Sequence, residues 1–100
     1  MDFATTTLGD SVIIQIPTRF DFRFVGEFRS RMEAVVDGSG KRVIVDLAET
    51  DYLDSSAMGM LLVLRDRARA KGKSVAIVHA LGTVRTALNR ARFEQIFDLQ

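Results

Sequence analysis

The sequence contains no cysteine, and His79 is its only histidine. Without cysteine the chain has neither a disulfide framework nor a thiolate for chemistry, which fits a reducing compartment. One histidine does not supply the cluster of ligands that a metal site needs. Ser55 and Ser56 have no evident base and no glycine-rich elbow beside them, and His79 lies in no motif that provides one. We therefore expect no metal, no cofactor and no enzymatic activity.

Long apolar runs and a strong charge of one sign are also missing. No stretch approaches the ~20 apolar residues that span a bilayer, and residues 1–5 lack the basic and apolar parts of a signal peptide. The net charge of +1 gives no overall attraction to nucleic acid or membranes. The length of 100 residues suits one modest core. We expect a single cytoplasmic domain over residues 1–100, a monomer with no nucleic-acid or membrane partner.

The first part of the chain has the pattern of a β-hairpin. Residues 3–8 predict an edge strand, Gly9-Asp10 a turn, and the β-branched segment Ser11–Ile16 the partner strand. Pro17 ends this second strand because proline has no N–H group to donate to a sheet ladder.

The rest of the chain alternates helical and strand patterns. Apolar residues at helical spacing predict helices over 23–36 and 56–71 and a third through 84–91. Near-continuous apolar runs predict strands over 42–47 and 74–78 that are covered on both faces. Strand, helix and strand in this order imply parallel neighbours. The predicted fold class is α/β, a small mixed β-sheet of about four to five strands with three to four helices packed on it.

The whole chain is organised around residues 52–62, where an acidic loop leads into the second helix. Asp54, Ser55 and Ser56 stand where the first N–H groups of a helix lack partners inside it. Such a place holds negative charge well, including a phosphoryl group on a serine hydroxyl. Ser55 is a good candidate for the N-cap, which would leave the Ser56 hydroxyl free and outward. Asp54 is the alternative cap, and both serines would then be helical.

The first two turns of this helix are apolar nearly all round. Met58, Gly59, Leu62 and Val63 lie off the stripe that faces the core. Either the sheet or the third helix covers them, or some are exposed beside the serines. The exposed alternative makes Met58, Gly59 and Leu62 candidate partner-binding residues, because flexible methionine side chains suit protein recognition.

A phosphoryl group on Ser56 would be favoured by the helix dipole and should leave the helix intact. It would add bulk and ~−2 charge beside Asp54. These properties predict a switch that acts at the surface, on a partner docked over Met58 and Leu62, and not by unfolding the domain.

Two rival interpretations are weaker. Acidic residues after strand 42–47 suggest a receiver domain with a phosphoacceptor aspartate, but Pro17-Thr18-Arg19 stands where receivers need an acidic pair. A basic run at the end of the second helix suggests nucleic acid, but it complements the helix dipole and Asp66 interrupts it. We interpret that run as a solvated face. Its members are Arg65, Arg67, Arg69, Lys71 and Lys73.

The central segment resembles a known family. Residues 43–47 (Val-Ile-Val-Asp-Leu), followed by residues 52–59 (Tyr-Leu-Asp-Ser-Ser-Ala-Met-Gly), are similar to the STAS-domain anti-sigma factor antagonists of bacteria. Arg19-Phe20-Asp21 and Phe93–Leu99 also resemble that family, so the likeness covers essentially the full chain. It implies the STAS fold for the elements described above.

The resemblance also implies partner switching. An unphosphorylated antagonist binds an anti-sigma factor, often itself a serine kinase, and so frees the sigma factor. Phosphorylation by that kinase ends the interaction, and a metal-dependent PP2C-type phosphatase resets it. The family's phosphoacceptor matches Ser56, and its two aspartates match Asp54 and Asp21, which with Ser55 are expected to support the phosphosite. The alternative is an adaptor module in a signalling or transporter-associated complex.

This chain departs from the family in two places. Ala57 stands where many relatives have glycine, which tightens the start of the helix. The connector from Phe20 to Phe24 is more aromatic than the family pattern, and it suggests a particular partner.

Overall fold

Residues 3–100, which the computed structural model describes, form a five-stranded sheet, a separate two-stranded ladder and three α-helices. The predicted fold class is confirmed. The strands are β1 (Thr5–Leu8), β2 (Ser11–Gln15), β3 (Arg19–Phe20), β4 (Arg42–Asp46), β5 (Tyr52–Leu53), β6 (Ser74–Val78) and β7 (Asp98–Leu99). The helices are α1 (Val25–Asp37), α2 (Ser55–Ala70) and α3 (Gly82–Arg90), with 3₁₀ turns at Phe22–Phe24 and Phe93–Gln95. None of the helices in this part of the chain is both long and apolar enough to cross a membrane.

The main sheet has the strand order β1-β2-β4-β6-β7. β1 and β2 form the predicted antiparallel hairpin, although β1 begins at Thr5 and not at Phe3. Gly9 allows the tight turn because its φ of 61° is in the left-handed region. The ladders β2–β4, β4–β6 and β6–β7 are all parallel, as the alternation of strands and helices predicts.

One face of the sheet carries the core. Ile14, Val45 and Ile77 occupy paired positions on neighbouring strands and therefore point to the same side. All three are fully buried. They belong to one apolar cluster that includes residues of α1, α2 and α3, so the core lies between this face and the helices.

The opposite face is only partly covered, so the prediction that β4 and β6 are buried on both sides is wrong. Ile13 and Ile44 lie side by side on that face and are half-buried. Neither belongs to the core cluster, and neither is among the described side chains that pack against it. Ala76, the next residue in the row, is buried but also lies outside the cluster. The apolar runs reflect the preference of β-branched residues for strands and do not report a second covering layer.

Phenylalanine rings pack around the first half of α1. The Phe28 ring centroid is 5.3 Å from that of Phe3 and 5.0 Å from that of Phe20. All three rings are fully buried, and Phe24 makes an edge contact with Phe3. Phe20 of the aromatic connector therefore belongs to the core, and Phe24 packs against it.

Lys73 is buried, which corrects the prediction that the basic run is a solvated face throughout. Its Nζ donates to the carbonyl oxygens of Gly38 and Gly40, in the loop between α1 and β4. A buried ammonium group needs such partners, and here it ties that loop to the start of β6. Arg67 and Lys71 lie within ion-pair distance of carboxylates on α1.

The two-stranded ladder positions the central corner. β3 and β5 pair in parallel, with Arg19 beside Tyr52 and Phe20 beside Leu53. The 3₁₀ turn Phe22–Phe24 follows β3, and α2 follows β5. The ladder therefore brings the start of the 3₁₀ turn next to the start of α2.

Candidate functional site

Asp54 caps the N-terminus of α2. Its backbone is extended, and its Oδ1 accepts a hydrogen bond of 2.8 Å from the backbone N–H of Ala57. Asp54 is therefore the cap, Ser55 is not, and both serines are helical. An aspartate in this position places a carboxylate at the positive end of the helix dipole as well as satisfying an unpaired N–H group.

The second oxygen of the same carboxylate reaches a different element. Asp54 Oδ2 accepts a hydrogen bond of 2.9 Å from the backbone N–H of Phe22, at the start of the 3₁₀ turn. The backbone N–H of Asp54 in turn donates to the carbonyl oxygen of Phe20, at 3.3 Å. One side chain thus joins the two segments that meet at the corner.

Ser55 and Ser56 are exposed as the first two residues of α2. Within residues 3–100, neither hydroxyl is engaged in a hydrogen bond and neither backbone N–H donates one. The two free N–H groups and the helix dipole favour added negative charge at this end of the helix. The site can therefore accommodate a phosphoryl group on an outward serine hydroxyl.

Asp21 is 5% exposed, and its carboxylate holds Arg23. Its Oδ1 accepts hydrogen bonds from the backbone N–H of Arg23 at 3.1 Å and from Nε at 3.0 Å, and its Oδ2 accepts from Nη2 at 2.8 Å. The side-chain hydrogen bond from Arg23 lowers the pKa of Asp21, although burial acts in the opposite direction. Because the folded-state pKa is lowered, this pairing stabilises the fold at higher pH, and its contribution is lost as the pH falls through that lowered value.

The structure places Asp21 at the start of the 3₁₀ turn, where it acts as the N-cap, and its hydrogen bonds go to Arg23. Its supporting role at the phosphosite stays a prediction.

The predicted apolar patch on α2 is smaller than the sequence suggests. Met58, Leu62 and Val63 are half-buried and pack against the core cluster, whereas Gly59 is exposed. Met60 is buried, and a helical wheel centred on Ala57 would have shown that it faces the core. The exposed surface beside the serines therefore consists of Gly59 and the outer parts of its half-buried neighbours.

Gly59→Ala is expected to raise the free energy of unfolding by about 0.5–1 kcal/mol, measured by urea denaturation. A Cβ at this exposed helical position would meet no atom within 4 Å, so the fold does not require glycine there. Gly40→Ala is the control, because its Cβ would lie 2.9 Å from Val12 Cγ2 and should destabilise the domain. A Gly59→Ala protein that unfolds more readily than the wild type would contradict this account of the helix.

Two exposed rings border the corner. Phe22 is 67% exposed, although Phe20 is buried and Phe24 is half-buried. Tyr52 lies under the guanidinium group of Arg19, whose Cζ is 4.2 Å from the ring centroid. The alternating phenylalanines do not tell which ring is turned outward, so the sequence alone does not single out Phe22.

The only histidine pairs with a carboxylate and not with a serine. His79 Nδ1 lies 2.9 Å from Oδ1 of Asp46, which also accepts from the backbone N–H of Ala48 at 2.9 Å. In the described part of the chain, no base is hydrogen-bonded to either serine, and no group of three or more His, Cys, Asp or Glu side chains is placed to hold a metal. His79 is therefore engaged with Asp46.

Two comparisons of the sequence with known proteins give the same family. The STAS domain family model matches residues 2–100. A STAS-domain containing protein of Pseudomonas aeruginosa (strain UCBPP-PA14) is 41% identical over 91 residues, which cover 91% of this chain and 89% of that protein.

Solved structures show the same fold at low sequence identity. The anti-sigma factor antagonist SpoIIAA, a Bacillus cell fate determinant, matches in its unphosphorylated form with a TM-score of 0.84 at 17% identity, over 98% of this chain and 87% of that one. Its phosphorylated form matches with a TM-score of 0.76 at 16% identity, over 98% and 90%. A sulfate transporter family protein from Wolinella succinogenes matches with a TM-score of 0.78 at 18% identity, over 94% and 81%. The family match and the close Pseudomonas relative, together with this shared fold, show that the chain belongs to the STAS domain family.

Proposed function

We propose that this chain is an anti-sigma factor antagonist that regulates transcription by partner switching through Ser56. The unphosphorylated protein binds an anti-sigma factor that is also a serine kinase. Phosphorylation of Ser56 by that kinase releases the protein, and a PP2C-type phosphatase restores the binding form. The protein acts in the cytoplasm as a monomer and performs no chemistry of its own.

The observation that carries this proposal is the state of Ser56. Among residues 3–100 its exposed hydroxyl has no hydrogen-bond partner, at a helix start where Asp54 has taken the capping role. Ser55 is in the same state, and the resemblance to the antagonist family is what selects Ser56 as the acceptor. A kinase can therefore reach the hydroxyl without displacing any contact of the fold. In the transfer, the hydroxyl oxygen takes the terminal phosphoryl group of ATP, and ADP and a proton leave.

The phosphoryl group changes the surface and not the fold. It adds ~−2 charge beside the exposed Gly59, one helical turn further along α2. The helix tolerates this charge because its dipole favours anions at the N-terminus. A partner that lies flat on this surface would lose contact and meet a charge that it cannot bury.

The solved structures of SpoIIAA support the proposed phosphorylation switch. SpoIIAA shares the fold and has been solved in both unphosphorylated and phosphorylated forms. The likeness to a sulfate transporter family protein favours the second candidate, a STAS adaptor module that binds its partner without a phosphorylation cycle.

The test is the phosphorylation state of the protein isolated from its own cells, measured by intact mass and peptide mapping. We expect one phosphoryl group on Ser56 in the wild type and none in Ser56→Ala. Ser55→Ala is the matched control, because Ser55 is equally a helical, exposed serine, and no described residue is hydrogen-bonded to its hydroxyl. Ser56→Asp should bind the anti-sigma factor weakly and keep a melting temperature near that of the wild type.

Three outcomes would count against the proposal. A wild-type chain without phosphate under every growth condition would favour the adaptor. Loss of the phosphate in Ser55→Ala and not in Ser56→Ala would show that Ser55, and not Ser56, is the phosphate acceptor. An unfolded Ser56→Asp protein would contradict a switch that acts only at the surface.

A further inference from the structure

Phe22 is the most exposed aromatic ring of the described residues. It is 67% exposed, while neighbouring phenylalanines at 20 and 28 are fully buried. Single exposed apolar residues are common and need no explanation by themselves. The backbone of Phe22, however, is held by a specific hydrogen bond, and exposed arginines occupy positions 19 and 23 on either side of it in the chain.

The contact that holds Phe22 comes from the cap of α2. Asp54 Oδ2 accepts from the backbone N–H of Phe22, while Asp54 Oδ1 accepts from Ala57. The backbone of Phe22, from which the ring projects, is therefore held close to the helix turn that carries Ser55 and Ser56. An exposed ring on an ordered backbone loses little conformational entropy when a partner covers it.

The charged groups beside Phe22 present cations to the solvent. The side chains of Arg19 and Arg23 are 55% and 58% exposed, and both lie against the buried carboxylate of Asp21. Both oxygens of Asp54 are occupied by backbone N–H groups. The carboxylates of Asp21 and Asp54 are thus engaged. The exposed guanidinium groups of Arg19 and Arg23, in contrast, lie over the rings of Tyr52 and Phe24, which neighbour Phe22 in the two segments of the corner.

We infer that Phe22 is the anchor by which the anti-sigma factor kinase docks on this protein, and that it enters an apolar pocket flanked by acidic residues on the kinase. The inference rests on the proposed function. A kinase that transfers a phosphoryl group to Ser56 must bring its active site against the first turn of α2. Phe22 is tied to that turn through Asp54, so the docked kinase covers the ring. Aromatic residues and arginines dominate the binding energy of protein interfaces, and here they stand together.

The experiment compares Phe22→Ala with Leu8→Ala. Leu8 is 68% exposed and lies in β1, at one edge of the main sheet, so the two changes remove equally exposed apolar side chains. Each purified protein is incubated with radiolabelled ATP and an extract of its own cells as the source of kinase. The initial rate of labelling on Ser56 is measured, with Ser56→Ala as the blank. Circular dichroism confirms that the variants are folded.

We expect labelling of Phe22→Ala to be at least about tenfold slower than that of the wild type, as for an interface anchor, and Leu8→Ala to be unchanged. Phe22→Leu, which keeps an apolar side chain, should be labelled at an intermediate rate. Equal rates for Phe22→Ala and Leu8→Ala, whether fast or slow, would overturn the inference and leave the proposed switch standing. Absence of labelling in the wild type would overturn the proposed function together with the inference.

Discussion

Replacing Asp54 with alanine is expected to lower the free energy of unfolding by about 2.5–4 kcal/mol, because an N-cap contributes ~1 kcal/mol and a hydrogen bond to a charged group ~1.5–3 kcal/mol. The substitution removes the acceptor for the Ala57 N–H and the acceptor for the Phe22 N–H at once. It frees the start of α2 and the start of the 3₁₀ turn from each other. Urea denaturation measures the change in stability.

Asp54→Asn divides this effect into its two parts. Asparagine is as good an N-cap as aspartate, so its side-chain oxygen should still accept from Ala57. Its NH₂ group has no lone pair to offer to Phe22, so that bond is lost. Amide hydrogen exchange should therefore speed up at Phe22 and stay slow at Ala57. Unchanged exchange at both amides, or an Asp54→Ala protein as stable as the wild type, would contradict the bridging role of Asp54.

Phe28→Ala is expected to lower the free energy of unfolding by about 3–5 kcal/mol, the usual cost of removing a buried aromatic ring. Phe28 has no exposed surface and packs against the rings of Phe3 and Phe20. A domain of this size has ~5–15 kcal/mol of stability in total, so the variant should be close to unfolding at physiological temperature. Urea denaturation and thermal melting followed by circular dichroism measure the effect.

Phe22→Ala is the control for this result. Because Phe22 is exposed, its removal should change the free energy of unfolding by no more than about 0.5 kcal/mol. The two variants remove the same side chain from nearby positions with opposite burial. Comparable losses of stability in both would mean that Phe22 belongs to the core, which would also remove the surface anchor proposed above.

The comparison matters for function because two kinds of aromatic residue occur within one short segment. Phe20 and Phe28 hold the fold that positions the corner, whereas Phe22 is available to a partner. Substitutions in the first group should reduce binding only by reducing the amount of folded protein. A substitution at Phe22 should reduce binding of a protein that is fully folded.

Much of the fold follows from local patterns in the sequence. The hairpin around Gly9 and the parallel order of the later strands were predictable from apolar β-branched runs alternating with helical spacing. The position of the corner was predictable as well, since Asp54, Ser55 and Ser56 directly precede the apolar turns of α2. The resemblance to the STAS family rested on the same residues, and the family match confirms it.

Other features were decided by contacts between distant parts of the chain. Asp54 and Ser55 are both good caps. The residue that caps α2 is Asp54, whose second carboxylate oxygen also accepts from Phe22, 32 positions away in the chain. The burial of Lys73 depended on two carbonyl groups in the loop before β4. Residue type and spacing do not contain this information, because hydrogen-bond partners of that kind are set by how the elements pack.

The sequence by itself therefore determined the hairpin, the strands β4 and β6 and the three α-helices, and that Asp54, Ser55 and Ser56 stand at the start of α2. The short strands β3 and β7 and the choice of Asp54 as the cap came from the tertiary structure. Only the tertiary structure decided which surfaces are open. It leaves the row through Ile13 and Ile44 partly uncovered, buries Phe20, and turns Phe22 outward. The physical reason is that apolar periodicity reports what a segment prefers, whereas exposure depends on which other elements pack against it.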